Sequence, residues 1–212
     1  MVPEQFAMIK NLILDYNGVI NDDFEYGYNA AMKVFDKFKL PRIPLEQARE
    51  EFEVPVENFY TKYLGEIPFE TFRKEYFLEY TDEDNPKLFP DVKETLDELV
   101  KRGVNLVILS SHKVEKIYKE LDEYKIDREI FDEIIGGAEN KLLVIDALMQ
   151  KHNFENTQTA YVGDTIHDIE VAKQAKVLSI ASTYGYQSKS KLAVAHPDHY
   201  IAHFNELLTI LI

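Results

Sequence analysis

Four stretches of this chain set carboxylates, hydroxyls and an ammonium group where short apolar runs end. In Leu12-Ile-Leu-Asp-Tyr-Asn-Gly-Val-Ile-Asn-Asp22 a buried-looking run delivers Asp15 into a turn containing Asn17 and Gly18. Open α/β sheets present reactive groups in this way, at the carboxyl edge of their strands. Val107-Ile-Leu-Ser-Ser111 ends in two hydroxyls, Lys141 opens a helical pattern, and Tyr161-Val-Gly-Asp-Thr-Ile-His-Asp168 ends in two carboxylates. The four-residue spacing of Asp164 and Asp168 suits joint capture of one hard cation, because Mg²⁺ takes oxygen ligands and often one or two carboxylates. Each group also fits an ordinary role: strand-ending Asp and Ser cap turns and helices, and a helix-opening Lys is commonly solvated.

The elements that must hold these groups follow from periodicity. Apolar runs at Leu12 to Leu14, Val104 to Leu109, Glu133 to Ile135, Thr159 to Val162 and Val177 to Ala181 read as strands. Helical patterns separate the later ones: Val92 to Arg102, Lys113 to Tyr124, Asn140 to His152 and Asp168 to Gln174. Such alternation implies a Rossmann-like parallel sheet with right-handed crossovers and helices on both faces. His199 to Ile201 adds an edge strand, and Phe204 to Leu211 a closing helix. Between the first two apolar strands the pattern is helical throughout: Tyr28 to Phe38, Leu45 to Phe52, Val56 to Tyr63 and Phe69 to Tyr80, punctuated by Pro44, Pro55, Gly65 and Pro68. Asn21 to Glu25 reads as an acidic turn, and Thr81 to Pro86 with Pro90 as a polar connection. The expected division is a catalytic α/β core of residues 1–25 and 87–212 and a helical cap of 26–86.

Composition narrows the function classes. With 24 Lys+Arg against 38 Asp+Glu the formal net charge is −14, which disfavours nucleic acid and anionic membranes as partners. A small anionic ligand is still admissible where a cation, a lysine and helix N-termini converge. The absence of cysteine excludes disulfides, cysteine nucleophiles and thiolate metal sites. Met1 to Asn11 carries no long apolar run or cleavage pattern, and no segment reaches the ~20 apolar residues of a membrane span, so a cytoplasmic location is expected.

Taken in order, the four stretches resemble the motifs of the haloacid dehalogenase superfamily. Thr183-Tyr-Gly-Tyr186 and Pro197-Asp198 extend the likeness toward the phosphoglycolate phosphatase-like branch with an inserted cap. The resemblance implies a Mg²⁺-dependent phosphatase acting on a small phosphorylated metabolite, such as a phosphoglycolate-like ester or a sugar phosphate. It makes Asp15 the nucleophile that forms an aspartyl-phosphate. Asp15, Asp164, Asp168 and the backbone carbonyl of Asn17 would hold Mg²⁺. Ser110 would bond a phosphate oxygen, Lys141 would offset charge on the phosphate and Asp15, and Gly18 and Ser111 would contact substrate.

One position departs from the family pattern, which reads Asp-x-Asp where this chain has Asp15-Tyr16-Asn17. The missing carboxylate is the family's general acid and base, a contribution typically worth about 10² to 10⁴ in rate. An amide preserves the shape and donates a hydrogen bond, but it moves no proton. A trapping substitution, a low-activity enzyme and a binding protein without turnover all fit. His112 and His167 are conceivable substitute acids, although most such histidines cap or pack. In the cap, Arg42, Arg49 and Arg73 are candidate forks for a substrate carboxylate or second phosphate, although any one such arginine more commonly lies on a solvated helix face. Tyr26 and Tyr28 are candidate pocket walls, whereas Asp22 reads as a loop-shaping residue. The rival readings are phosphoryl transfer, phosphonate cleavage through Lys33 or Lys37, and a non-catalytic phospho-ligand binding protein.

Overall fold

The computed structural model describes residues 8–80, 87–138 and 140–211. The polar connection expected over 81–86, and the N-terminal stretch before Met8, lie outside them. Strand β1 (Asn11–Leu14) runs into a two-residue strand β2 (Asn21–Asp22). Four helices follow: α1 (Phe24–Lys37), α2 (Leu45–Glu51), α3 (Val56–Tyr60) and α4 (Phe69–Glu79). The chain re-enters through β3 (Lys87–Leu88) and then alternates: α5 (Val92–Lys101), β4 (Asn105–Leu109), α6 (Val114–Glu123), β5 (Glu133–Ile135) and α7 (Lys141–His152). It ends with β6 (Thr159–Gly163), α8 (Ile166–Gln174), β7 (Leu178–Ser182) and β8 (His199–Ile201). The expected closing helix is a 3₁₀ turn, Phe204–Glu206, continued by Leu207–Ile210.

Six strands form one sheet in the order β5-β4-β1-β6-β7-β8, and every pairing is parallel. This is the α/β core, with a helical insert after its first strand, that the periodicity predicts. Successive strand residues point to opposite faces, so both faces must be apolar in a sheet covered on each side. Leu12, Leu14, Leu106, Ile108, Ala160 and Val162 pack into one core with Leu96 and Ile117 of α5 and α6. Ile13, Val107, Leu109 and Tyr161 pack into the other, with Ile145 of α7 and Val171 of α8. The insert has a core of its own, centred on Phe35, Phe59 and Phe72.

The sequence reading of Asn21 to Glu25 as an acidic turn is corrected. Asn21 and Asp22 pair antiparallel with Leu88 and Lys87, and α1 begins at Phe24, four residues before the expected Tyr28. Two residues are too few to show strand alternation, and their partners lie far along the chain. The insert therefore joins the core through a hydrogen-bonded ribbon.

Candidate active site

The period of two carries the chemistry past the end of β1. Asp15 follows Ile13 on the face covered by α7 and α8, and its N–H still donates to the Val162 carbonyl of β6 at 2.9 Å. Asn140 caps α7 by accepting from the Leu143 N–H, which fixes Lys141 as the first helical residue. The Lys141 ammonium donates to Asp15 Oδ2 and to Asp168 Oδ1, both at 2.7 Å, and is buried with them. Asp168 closes a capping box with Thr165 at the start of α8 and also accepts from the Tyr161 hydroxyl at 2.8 Å. Asp164 accepts the Tyr186 N–H at 2.7 Å.

Glycines let these carboxylates approach the backbone. A Cβ on Gly163 would stand 2.1 Å from the Asp168 Cβ, and one on Gly18, where φ is +74°, 1.9 Å from Asp164 Oδ2. Either side chain would displace a carboxylate, and the Gly18 backbone is one that L residues rarely adopt.

Burial and charge set the protonation states. Burial, with Asp168 adding to it, raises Asp15 to about 6 against the pull of Lys141. Burial, reinforced by the two neighbouring carboxylates, raises Asp164 well above the usual range. Asp168 is pushed up by burial, but the Lys141 ammonium and hydrogen bonds from Lys141, Thr165 and Tyr161 hold it below its ordinary value. Lys141 rises well above the usual lysine value despite burial, because both its partners are anionic.

One oxygen each of Asp15, Asp164 and Asp168 lies within 4.8 Å of the others. The Lys141 ammonium bonds two of these three buried carboxylates, so the fully ionised set has an uncompensated negative charge of the kind a divalent cation relieves. All three donors are hard oxygens, which suits Mg²⁺ or a similar ion.

Asp15 and Asp164 open onto a cavity of about 390 Å³ between the sheet edge and the insert, whereas Asp168 is buried beside them and does not line it. Asp15, Asn17, Ser111, Asp164 and Thr165 line its floor. Ser110 lies just behind, buried, its hydroxyl accepting the His112 N–H at 3.1 Å. Asn17 Oδ1 accepts from Asn21 Nδ2 at 3.4 Å. Of the arginines, only Arg73 reaches the cavity. Arg42 is paired with Asp36 on the exposed surface. Arg49 stacks over Phe24 and donates to the Gly185 carbonyl at 2.7 Å, bracing insert against core. Tyr28 lines the cavity, whereas Tyr26, Lys33, Lys37, His112 and His167 do not. His112 is held down to about 4 by burial and the neighbouring Lys116 and Lys113, and His167 is exposed.

Three contributors escaped the sequence reading. Tyr161 reads as an ordinary core aromatic, Tyr186 acts through its main-chain N–H, and Gln187 ties loop to insert. The Gln187 side chain accepts from the Ile166 N–H at 2.7 Å and donates to the Phe52 carbonyl at 2.9 Å. The usable signals were a tyrosine two residues before a strand-ending glycine and the turn after β7.

Fold and site together define a doubly wound α/β protein with a buried acidic cluster, able to hold a cation, at the carboxyl edge of its sheet. The chain belongs to the haloacid dehalogenase-like hydrolase family, whose model matches residues 12–182. It is similar to the phosphoglycolate phosphatase of Aliivibrio fischeri, 33% identical over 129 residues that cover 58% of this chain and 56% of that one. The corresponding enzyme of Haemophilus influenzae (strain 86-028NP) is 32% identical over 130 residues, 59% of this chain and 58% of the relative. The chain thus spans somewhat over half the length of these relatives. Among solved structures, a haloacid dehalogenase-like hydrolase of Streptococcus pneumoniae superposes with a TM-score of 0.83 at 22% identity, covering 97% of this chain and 99% of that one. A predicted phosphoglycolate phosphatase of Haemophilus somnus gives 0.81 at 20%, with the same coverages. These two likenesses establish the fold.

Proposed function

We propose that this chain is a Mg²⁺-dependent phosphatase that hydrolyses a small phosphate monoester through an aspartyl-phosphate on Asp15. The observation that carries this reading is the buried Asp15 carboxylate, 2.7 Å from Lys141, beside Asp164 on the cavity floor and grouped with it and Asp168. The names of the similar proteins support it, and they make phosphoglycolate the first ester to test. In this reading the division into a core of 1–25 and 87–212 and a cap of 26–86 separates phosphoryl transfer from substrate choice, a task lids commonly perform.

Asp15, Asp164, Asp168 and the backbone carbonyl of Asn17 would hold Mg²⁺, which when bound neutralises phosphate oxygens. An oxygen of Asp15 attacks phosphorus, the bond from phosphorus to the leaving oxygen breaks, and the alkoxide leaves. Lys141 keeps Asp15 ionised and faces the anionic phosphoryl group. The Ser110 hydroxyl and the groups of Ser111 and Gly18 orient the remaining oxygens. Asn17 stands where the resemblance puts the acid and base, so the departing alkoxide takes its proton from water. Water then attacks the aspartyl-phosphate, releasing inorganic phosphate and restoring the carboxylate. Both steps proceed without a side-chain acid or base, and turnover is correspondingly slow.

The test is Mg²⁺-dependent phosphate release from a panel of phosphate esters, comparing this chain with Asn17→Asp. A gain of about 10² or more on substitution is the expected result. Binding of Mg²⁺ and phosphate without product from either protein would replace the hydrolase reading with a phospho-ligand binding protein.

A further inference from the structure

The walls of the cavity differ sharply from its floor. Above the carboxylates the insert contributes Phe52, Phe59, Tyr60, Phe69, Phe72 and other aromatic or aliphatic side chains. Among the described residues, the one charged side chain on the insert's wall is Arg73, whose guanidinium is paired with Glu70 at 2.7 Å in an exposed position. The Tyr28 hydroxyl is committed to the Ile43 carbonyl at 2.6 Å. Apart from Arg73 and the Tyr60 and Tyr76 hydroxyls such walls offer a carboxylate or a sugar ring few partners for the water it would lose, a cost polar groups rarely bear when buried.

The mouth is apolar as well. Val54, Val56 and Phe77 line the cavity and are 46%, 41% and 65% exposed. An exposed Phe beside two exposed valines is apolar surface left open at the entrance, and a ligand with an apolar body would cover it. The volume of about 390 Å³ lies within the range of small-molecule sites, roughly 300 to 1,000 Å³.

We infer that the ester's leaving group is an uncharged, largely apolar aryl or branched alkyl body, seated against the aromatic wall of the insert while the phosphate faces Asp15. This inference rests on the phosphatase reading for the orientation of the ligand. Selection comes from apolar burial by the insert, and the anion is recognised only at the floor.

The test is calorimetric titration of the full chain, with Mg²⁺ present, against four phosphonates that cannot be hydrolysed as esters: methylphosphonate, butylphosphonate, 2-phenylethylphosphonate and phosphonoacetate. Affinity is expected to rise from methyl to butyl to phenylethyl, by up to about fourfold per buried methylene, and to be weakest for phosphonoacetate among the larger ligands. Phe77→Ala, at an exposed position where folding is not at stake, should cut the advantage of phenylethyl over methyl by at least about threefold. A flat series, or phosphonoacetate as the tightest ligand, overturns the inference. Phosphate release from 2-phenylethyl phosphate separates the two readings. A rising series without release from this ester or from the panel keeps the apolar body as that of a bound phospho-ligand and removes the hydrolase. Release from phosphoglycolate alongside a flat series does the reverse, and failure of every phosphonate to bind removes both.

Discussion

Floor and roof of the same cavity are built on opposite physics. On the floor and directly beneath it, three carboxylates and one lysine are almost withdrawn from water, and each is fixed by named hydrogen bonds of 2.7 Å or a little more. In the roof, Phe35, Tyr60 and Phe72 pack ring against ring with centroids 4.6 to 6.3 Å apart, without directional bonds. Directional contacts fix positions to fractions of an ångström, which phosphoryl transfer requires, whereas apolar packing tolerates a change of shape more readily than a loss of volume. Substitutions should therefore damage activity on the floor and stability in the roof.

The largest effect falls on the floor. In the proposed mechanism Asp15→Asn removes the charge of the attacking oxygen and should reduce phosphate release by at least about 10⁴, with circular dichroism and the melting transition little changed. Residual turnover near the parent rate would break the comparison, because it would move the nucleophile elsewhere. In the roof, Phe35 is fully buried and does not line the cavity, so Phe35→Ala should cost about 3 to 5 kcal/mol in urea unfolding. Mg²⁺ affinity measured on the folded variant should stay within about twofold of the parent, and a larger loss would show that the roof also positions the carboxylates.

Gly163→Ala is a smaller test of the floor. Its Cβ would sit 2.1 Å from that of Asp168, so overpacking should cost about 1 to 3 kcal/mol and weaken Mg²⁺ binding, whereas exposed Gly103→Ala would only strain its own turn. The least of the effects concerns Asp23, which sits where floor meets roof. Burial, reinforced by Glu120 and opposed by Tyr186 and Lys116, raises its carboxyl to about 7 from an ordinary 3.8. Between those values the folded protein holds a proton that the unfolded chain has released, so stability falls as pH rises across the window and the full penalty stands above about 7. Asp23→Asn should flatten the decline between about pH 5 and pH 8 in urea titrations, and an unchanged slope would assign the dependence to other groups.

The same contrast governs how far the molecule was legible in its sequence. Asp15, Ser110, Lys141, Asp164 and Asp168 stood out because a polar group ending an apolar run breaks a period, and strand pairing then gathers such ends at one edge. The core strands and the major helices were readable for the same reason, with boundaries shifted by a residue or a few. The β2 and β3 ribbon was not legible, since two-residue strands have no period. Contacts made through the Tyr186 N–H or the Gln187 amide were hidden because main-chain geometry and side-chain reach depend on packing. The arginines were ambiguous by type, fitting anion receptors or solvated helix faces; Arg42 is paired on the surface and Arg49 braces Gly185.

The ribbon has a consequence for what this architecture permits. Because Asn21 and Leu88 are direct partners in their own two-stranded ribbon, the chain leaves and re-enters the core at adjoining backbone positions. Everything between them can then be exchanged for a segment of another length at little loop-closure entropy, which grows only logarithmically with length. The ribbon is a natural graft point, where a roof from another protein could be spliced onto this floor with the strand register undisturbed.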